Sequence, residues 1–268
     1  MARILMPVPD TDFDTTEVAV PWRLATRAGH EVVFATEQGG TPPACDPLLM
    51  TGVIIGALGA ADEPKQYYRE LLASAEFNNP IAWDAIDPAD YDALILPGGH
   101  APGMRQYLGS AVLQSKVAAF WKLERPVGAI CHGVLVLARA RDATGESVLR
   151  STRTTCLPKY MERSAFLLTF WRRGRYYRTY AAYVEDEVRA ALADAKSQFV
   201  EGPKVRTERG TDADDSAAFV VEDGRYVSAR WPGDSYLFAK KLIALLPTAD
   251  QRPETVAIPG QVATATRN

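Results

Sequence analysis

Residues 127–137 read Val-Gly-Ala-Ile-Cys-His-Gly-Val-Leu-Val-Leu. A short apolar run bounded by turn chemistry is the pattern of a buried strand. Here that run passes straight into Cys131, His132 and Gly133, after which the sequence predicts a helix. Strand, one residue on a tight turn, then helix is the geometry of a nucleophile elbow, which holds a Ser or Cys exposed at the head of the helix. Gly128 and Gly133 supply the close backbone approach that such a turn needs. A helix N-terminus favours negative charge, so this setting predicts a lowered pKa for the Cys131 thiol. The adjacent His132 can take the thiol proton and return it, or it can orient the site.

Working outward, the same alternation recurs. Arg3 to Val8 is an apolar run ending in prolines, and Thr15 or Thr16 can cap a helix from about Glu17 to Ala28. Pro21 would then fall in the first turn of that helix, where its missing N–H costs little. Glu31 to Thr36 reads as a strand, Lys65 to Ala75 as a helix, and Tyr91 to Leu96 as a buried strand ending at Pro97-Gly98-Gly99-His100. Ser110 to Leu123 (helix), Pro126 to Ile130 (strand) and Gly133 to Arg141 (helix) complete the series. Strands alternating with helices predict a parallel sheet covered on both faces. Ligands of such sheets sit at the carboxyl ends of the strands, near a switch point in strand order. Residues 9–17, 97–104 and 131–132 all lie at strand ends. The paired glycines after Pro97 let backbone N–H groups turn into a site, as oxyanion donors require. They are not a P-loop, since its Lys and Ser/Thr are missing. Glu17 either complements the helix dipole or, beside Cys131, acts as an acid or base with a raised pKa.

The second half is less regular. Ser151 to Asp215 is polar and rich in Arg and Tyr, and is expected to form helices on one edge as a family-variable insertion or lid. Within it, Phe170 to Tyr180 interleaves four arginines with five aromatics. In a net acidic chain this reads as a helical packing or oligomer surface rather than a nucleic-acid surface. Asp223-Gly224 is a hairpin signal between Phe219–Val221 and Tyr226–Ala229. Ser235 would cap a final helix to about Leu246. Residues 247–268 carry three prolines and no period, so an extended or disordered tail is expected after a single α/β domain over 1–246.

Composition sets the exclusions. The 268 residues carry 30 Lys+Arg and 33 Asp+Glu, a net charge of −3, with 47% hydrophobic residues. Neither nucleic acid nor an anionic membrane is attracted by that balance. Three cysteines (45, 131, 156) make no disulfide framework and lack zinc-site spacing. Asp10, Asp12 and Asp14 begin a calcium-loop spacing, but Thr15 and Pro21 stand where the loop needs Gly and Glu. No run approaches the ~18 apolar residues of a membrane span, and no secretory signal is evident, so a cytoplasmic location is expected.

Glu17, PGGH at 97–100, AICHG at 129–133 and the segment Gly224 to Ser235 together resemble the ThiJ/PfpI superfamily, over most of residues 1–246. The resemblance implies a class I glutamine-amidotransferase-like, flavodoxin-like fold: a three-layer α/β/α sandwich with a mostly parallel central sheet and an elaborated C-terminal half. It implies Cys131 as nucleophile, Glu17 as the acid hydrogen-bonded to it, the N–H groups of Gly99 and His132 as oxyanion donors, and Gly98 and His100 in the pocket. His directly after Cys, with GGH, is similar to the chaperone and glyoxalase III branch. Members of that branch convert methylglyoxal to lactate without a cofactor, and some are described as deglycases. The branch completes a catalytic triad with a later Asp or Glu, for which Glu162 is the nearest carboxylate. Amidotransferases use a histidine remote from the cysteine, and none follows His132. For the extra metal site of some chaperone-branch members only His30 and His100 remain, and nothing in the sequence brings them together. The expectation is therefore a small carbonyl substrate, no cofactor, no metal, no nucleic-acid or membrane partner, and a homodimer. A holdase chaperone or Cys131 redox sensor, and a hydrolase or hydratase of another small electrophile, are the other readings.

Overall fold

Apolar runs of four to six residues build the central sheet: β1 (Arg3–Pro7), β3 (Glu31–Thr36), β6 (Ala93–Leu96) and β7 (Val127–Ile130). The computed structural model describes residues 1–246 except 55, 179, 206 and 207, so the expected tail at 247–268 lies outside the described residues. Short β5 (Ile81–Ala82) and the hairpin β8 (Val220–Asp223)–β9 (Tyr226–Ala229) extend the sheet to the order β5-β3-β1-β6-β7-β9-β8. Every pairing is parallel except β8–β9. All residues of β6, β7 and β9 are buried, as in a parallel sheet covered on both faces. A separate pair joins β2 (Thr11–Phe13) to β4 (Ala44–Cys45) beyond the end of β1.

Helices α1 (Thr15–Arg27), α3 (Asp62–Leu71) and α11 (Ser235–Ala244) pack together on one side. The other layer comprises α6 (Ala111–Trp121), α7 (Val134–Arg139) and α9 (Val184–Ala191). Short helices α2 (Pro47–Thr51), α4 (Ala75–Asn78), α5 (Met104–Gly109) and α10 (Ala195–Gln198), with the longer α8 (Lys159–Arg173), fill the connections. One continuous hydrophobic core runs from Ala2 to Leu246. The α/β sandwich expected from the sequence is the observed architecture.

Several boundaries differ for identifiable reasons. Asp14, not Thr15 or Thr16, caps α1, accepting from the N–H groups of Thr16 and Glu17 at 2.8 and 3.1 Å. The helix therefore begins two residues earlier than expected, and Pro21 sits in its interior. Pro21 has no N–H to give to the Glu17 carbonyl, so the helix omits a bond next to a candidate site residue. The helix expected at Lys65–Ala75 is α3 followed by α4, because Ser74 caps a new turn through the Phe77 N–H. After β7 the chain first makes a 3₁₀ turn, Cys131–Gly133, before α7. The Arg- and Tyr-rich half does form helices, α8 to α10, and α8 leaves Leu167, Leu168, Phe170 and Trp171 exposed.

Candidate active site

Strand order reverses between β1 and β6: β3 lies on one side of β1 and β6 on the other. The carboxyl ends of β1, β6 and β7 meet there, where a crevice forms in an open α/β sheet. Cys131 terminates β7 with φ +57°, an uncommon left-handed backbone for a residue with a Cβ. The elbow is held against the end of β6 by contacts that only glycine permits. A Cβ at residue 133 would stand 2.0 Å from the Leu96 carbonyl oxygen, and one at residue 98 would stand 2.7 Å from the His132 nitrogen.

The same loop ties Glu17 to the elbow. The Asp14 N–H donates to the Gly98 carbonyl at 2.8 Å, and the Gly98 N–H donates to Glu17 Oε2 at 2.8 Å. Glu17 is fully buried beside the Cys131 thiol, and its other oxygen, Oε1, has no hydrogen-bond partner. Burial, then the nearby charge of Asp14, raises the Glu17 carboxyl well above the usual carboxylate range. Burial likewise raises Asp14 to about 6, against the two N–H bonds that lower it.

The Cys131 thiol departs from expectation. It is fully buried, and burial first, then the charge on Glu17, pushes its pKa up rather than down. The helix end that was to favour the thiolate is a 3₁₀ turn and a six-residue helix, and the His132 backbone N–H is the lowering contact. In this closed arrangement the nucleophile rests as a neutral thiol. His132 Nδ1 lies 3.5 Å from Sγ, and burial lowers the imidazole pKa well below its usual value, leaving a neutral base.

His100 joins this cluster. Its ring meets His132 edge-on at 4.9 Å between centroids and Tyr177 at 4.8 Å, and burial lowers its pKa to about 4. Tyr177 in turn packs on Tyr176, whose hydroxyl bonds the buried Asp46 carboxylate. Just past α8, this tyrosine pair covers His100. A cavity of about 140 Å³ is lined among others by Asp14, His100, Tyr177, Arg209 and Trp231.

Most expected residues therefore converge: Cys131, His132, Glu17, Gly98 and His100. Gly99 is adjacent, packed against the Asp12 carbonyl and the Asp14 nitrogen. Glu162 is the exception. On α8, it accepts from the Val184 N–H at 3.1 Å and faces Arg178 at 3.7 Å, which ties α8 to α9. Burial raises it to about 7. Among the described residues no carboxylate hydrogen-bonds to His132, so the expected triad with Glu162 is not assembled. His100 lies not with His30 but with His132 and Cys131, their ring nitrogens and sulfur all within 4.8 Å of one another. His30 is elsewhere, accepting from the Ala2 N–H at the start of β1. Asp10 and Asp12 are occupied in loop contacts with Gln106 and the Gly103 N–H. Sequence reasoning missed Tyr176, Tyr177, Asp46 and Arg209; the Tyr-Tyr pair inside the Arg-rich stretch was the available signal.

This elbow, with Glu17 and PGGH around it, matches a known pattern. A model described as ThiJ/PfpI family-like matches residues 8–203. The chain belongs to the ThiJ/PfpI family. Among ThiJ/PfpI relatives, Deglycase TK1284 of Thermococcus kodakarensis is 29% identical, over 87% of this chain and 93% of its own. Deglycase PYRAB04690 of Pyrococcus abyssi is 26% identical, over 91% of this chain and 99% of its own. The ThiJ/PfpI fold is shared with the crystal structure of glyoxalase III from Candida albicans. That structure has a TM-score of 0.64 and 21% identity, covering 92% of this chain and 98% of that one. No helix among the described residues is long and apolar enough to cross a membrane.

Proposed function

We propose that this protein is a cofactor-independent cysteine enzyme of the glyoxalase III/deglycase type, acting on small reactive carbonyls such as methylglyoxal. One observation carries the reading: the Cys131 thiol, the buried Glu17 carboxyl and the His132 imidazole converge at the elbow, with Sγ 3.5 Å from His132 Nδ1, and His100, whose ring meets that of His132, lines a cavity of about 140 Å³. The deglycase relatives support the same class of chemistry.

In this mechanism Sγ adds to the aldehyde carbon while its proton passes to His132 Nδ1. The carbonyl oxygen takes a proton from Glu17, giving a hemithioacetal, with the Gly99 and His132 N–H groups as oxyanion donors. The Glu17 carboxylate removes the aldehyde hydrogen while protonated His132 gives its proton to the neighbouring carbonyl oxygen, forming an enediol. Glu17 then protonates the neighbouring carbon and His132 takes the hydroxyl proton from the sulfur-bearing carbon, giving the lactoyl thioester; that proton returns to the Cys131 sulfur on hydrolysis, and the proton of the released acid to Glu17. Water hydrolyses that ester and restores the thiol, so the net change is addition of one water to methylglyoxal. Glu17 and His132 act as an acid and base pair whose environments place the proton on one and not the other. A peroxide-sensing role gains nothing from a thiol that is buried and neutral.

The test is lactate formation from methylglyoxal by the wild type, Cys131→Ala and Glu17→Gln. Turnover by the wild type, none by Cys131→Ala, and a Glu17→Gln kcat reduced about 10²–10⁴-fold is the expected result. Absence of turnover by the wild type overturns the proposal.

A further inference from the structure

The three-membered cluster at the elbow has the donor set and spacing of a metal site. Cys131 Sγ and one ring nitrogen each of His100 and His132 lie within 4.8 Å of one another, and the Sγ to His132 Nδ1 distance is 3.5 Å. Zinc binds nitrogen at about 2.0–2.1 Å and sulfur at about 2.3 Å, so tetrahedral geometry sets ligand atoms roughly 3.5 Å apart. The Cys131 Sγ to His132 Nδ1 separation already has that length. His100 is the partly exposed member of the three. One sulfur and two imidazoles suit zinc or cobalt(II); calcium and magnesium require oxygen ligands. His100 also lines the 140 Å³ cavity, which gives room for a fourth, exchangeable ligand.

We infer that His100, Cys131 and His132 form a three-ligand site for a thiophilic divalent cation of the zinc class, and that its occupancy silences the nucleophile. Coordination takes Cys131 as thiolate, its proton going to solvent. It engages the sulfur lone pair that would attack a carbonyl and the His132 nitrogen that would accept the thiol proton. Metal capture and carbonyl turnover therefore exclude one another at the same atoms, and the metal-free protein is the form competent for chemistry.

Titrating the metal-free full chain with cobalt(II) and recording its absorption tests the site without reference to any substrate. The expected result is one cobalt per chain, with a thiolate-to-cobalt charge-transfer band that zinc abolishes by displacement. Cys131→Ser should lose that band. His100→Ala, at the partly exposed ligand, should remain folded by circular dichroism and bind cobalt more weakly by over the about 10–100-fold that loss of an outer-sphere partner costs. A wild type that binds no cobalt, or binds it without the charge-transfer band, overturns the inference. A folded His100→Ala that binds as tightly as the wild type does so too. Because the spectrum is read whether or not methylglyoxal is consumed, a failed turnover assay and a failed metal titration remain separate results.

Discussion

Cys131 concentrates most of the local strain and chemistry in one residue. Its φ of +57° costs an L-residue roughly 1–2 kcal/mol, which glycine does not incur. Cys131→Gly and Cys131→Ala both remove the thiol, but only the first relieves the backbone. Urea unfolding should therefore find Cys131→Gly more stable than Cys131→Ala by about 1 kcal/mol. Equal stabilities would mean that the elbow relaxes once its side chain is gone. The strain keeps Sγ between Glu17 and His132, a placement that a relaxed strand end would not produce. The residue-scale reading of the sequence found all three of these groups. It misjudged the thiol because the charge preference of a helix N-terminus was weighed without the larger effect of full burial.

At the scale of elements, two junctions place the site. The first is the close contact of the elbow with the end of β6, where a Cβ on residue 133 would meet the Leu96 carbonyl at 2.0 Å. Gly133→Ala must push β6 and the elbow apart, at a cost of about 1–3 kcal/mol or more, visible as a lowered Tm. A Tm equal to wild type would show that the junction is slack. The second is the start of α1, where Asp14 caps the helix while its own carboxyl is raised to about 6 by burial. The folded state then holds the proton more tightly than the unfolded chain. This group's contribution to stability is greatest below about pH 4 and declines as the pH rises through 6. Asn keeps the capping oxygen but has no titration. The stability of the wild type relative to Asp14→Asn should therefore fall between pH 4 and 6; a difference independent of pH would contradict the raised value. The cap was misplaced in the sequence because Thr15, Thr16 and Asp14 are all competent capping residues, and only the Gly98 contact selects one of them.

Across the whole molecule, the C-terminal elaboration reaches the site at His100. The Tyr176 hydroxyl bonds Asp46, which also caps α2, and Tyr177 lies against His100. Tyr176→Phe deletes that bond. A hydrogen bond to a charged group contributes about 1.5–3 kcal/mol, so alkylation of Cys131 by a small thiol reagent should speed up by roughly tenfold or more, followed by mass spectrometry. An unchanged rate would show that the segment after α8 is held by packing alone.

Local patterning was enough for the α/β sandwich, for the elbow, and for the coincidence of Glu17, PGGH and Cys131-His132 at strand ends. Strands, turns and helices are written in short-range periodicity and in the backbone demands of Gly and Pro, and these survive without knowledge of the fold. Which groups share one site is a long-range matter, set by the reversal of strand order beside β1 and by side chains arriving from distant segments. That is why His100 and Tyr177 joined Cys131 while Glu162 was held between α8 and α9. Burial is likewise a property of the assembled layers: it raises Glu17 and Cys131 and lowers His100 and His132, and for Cys131 it reverses the lowered pKa that the helix start in the sequence implied.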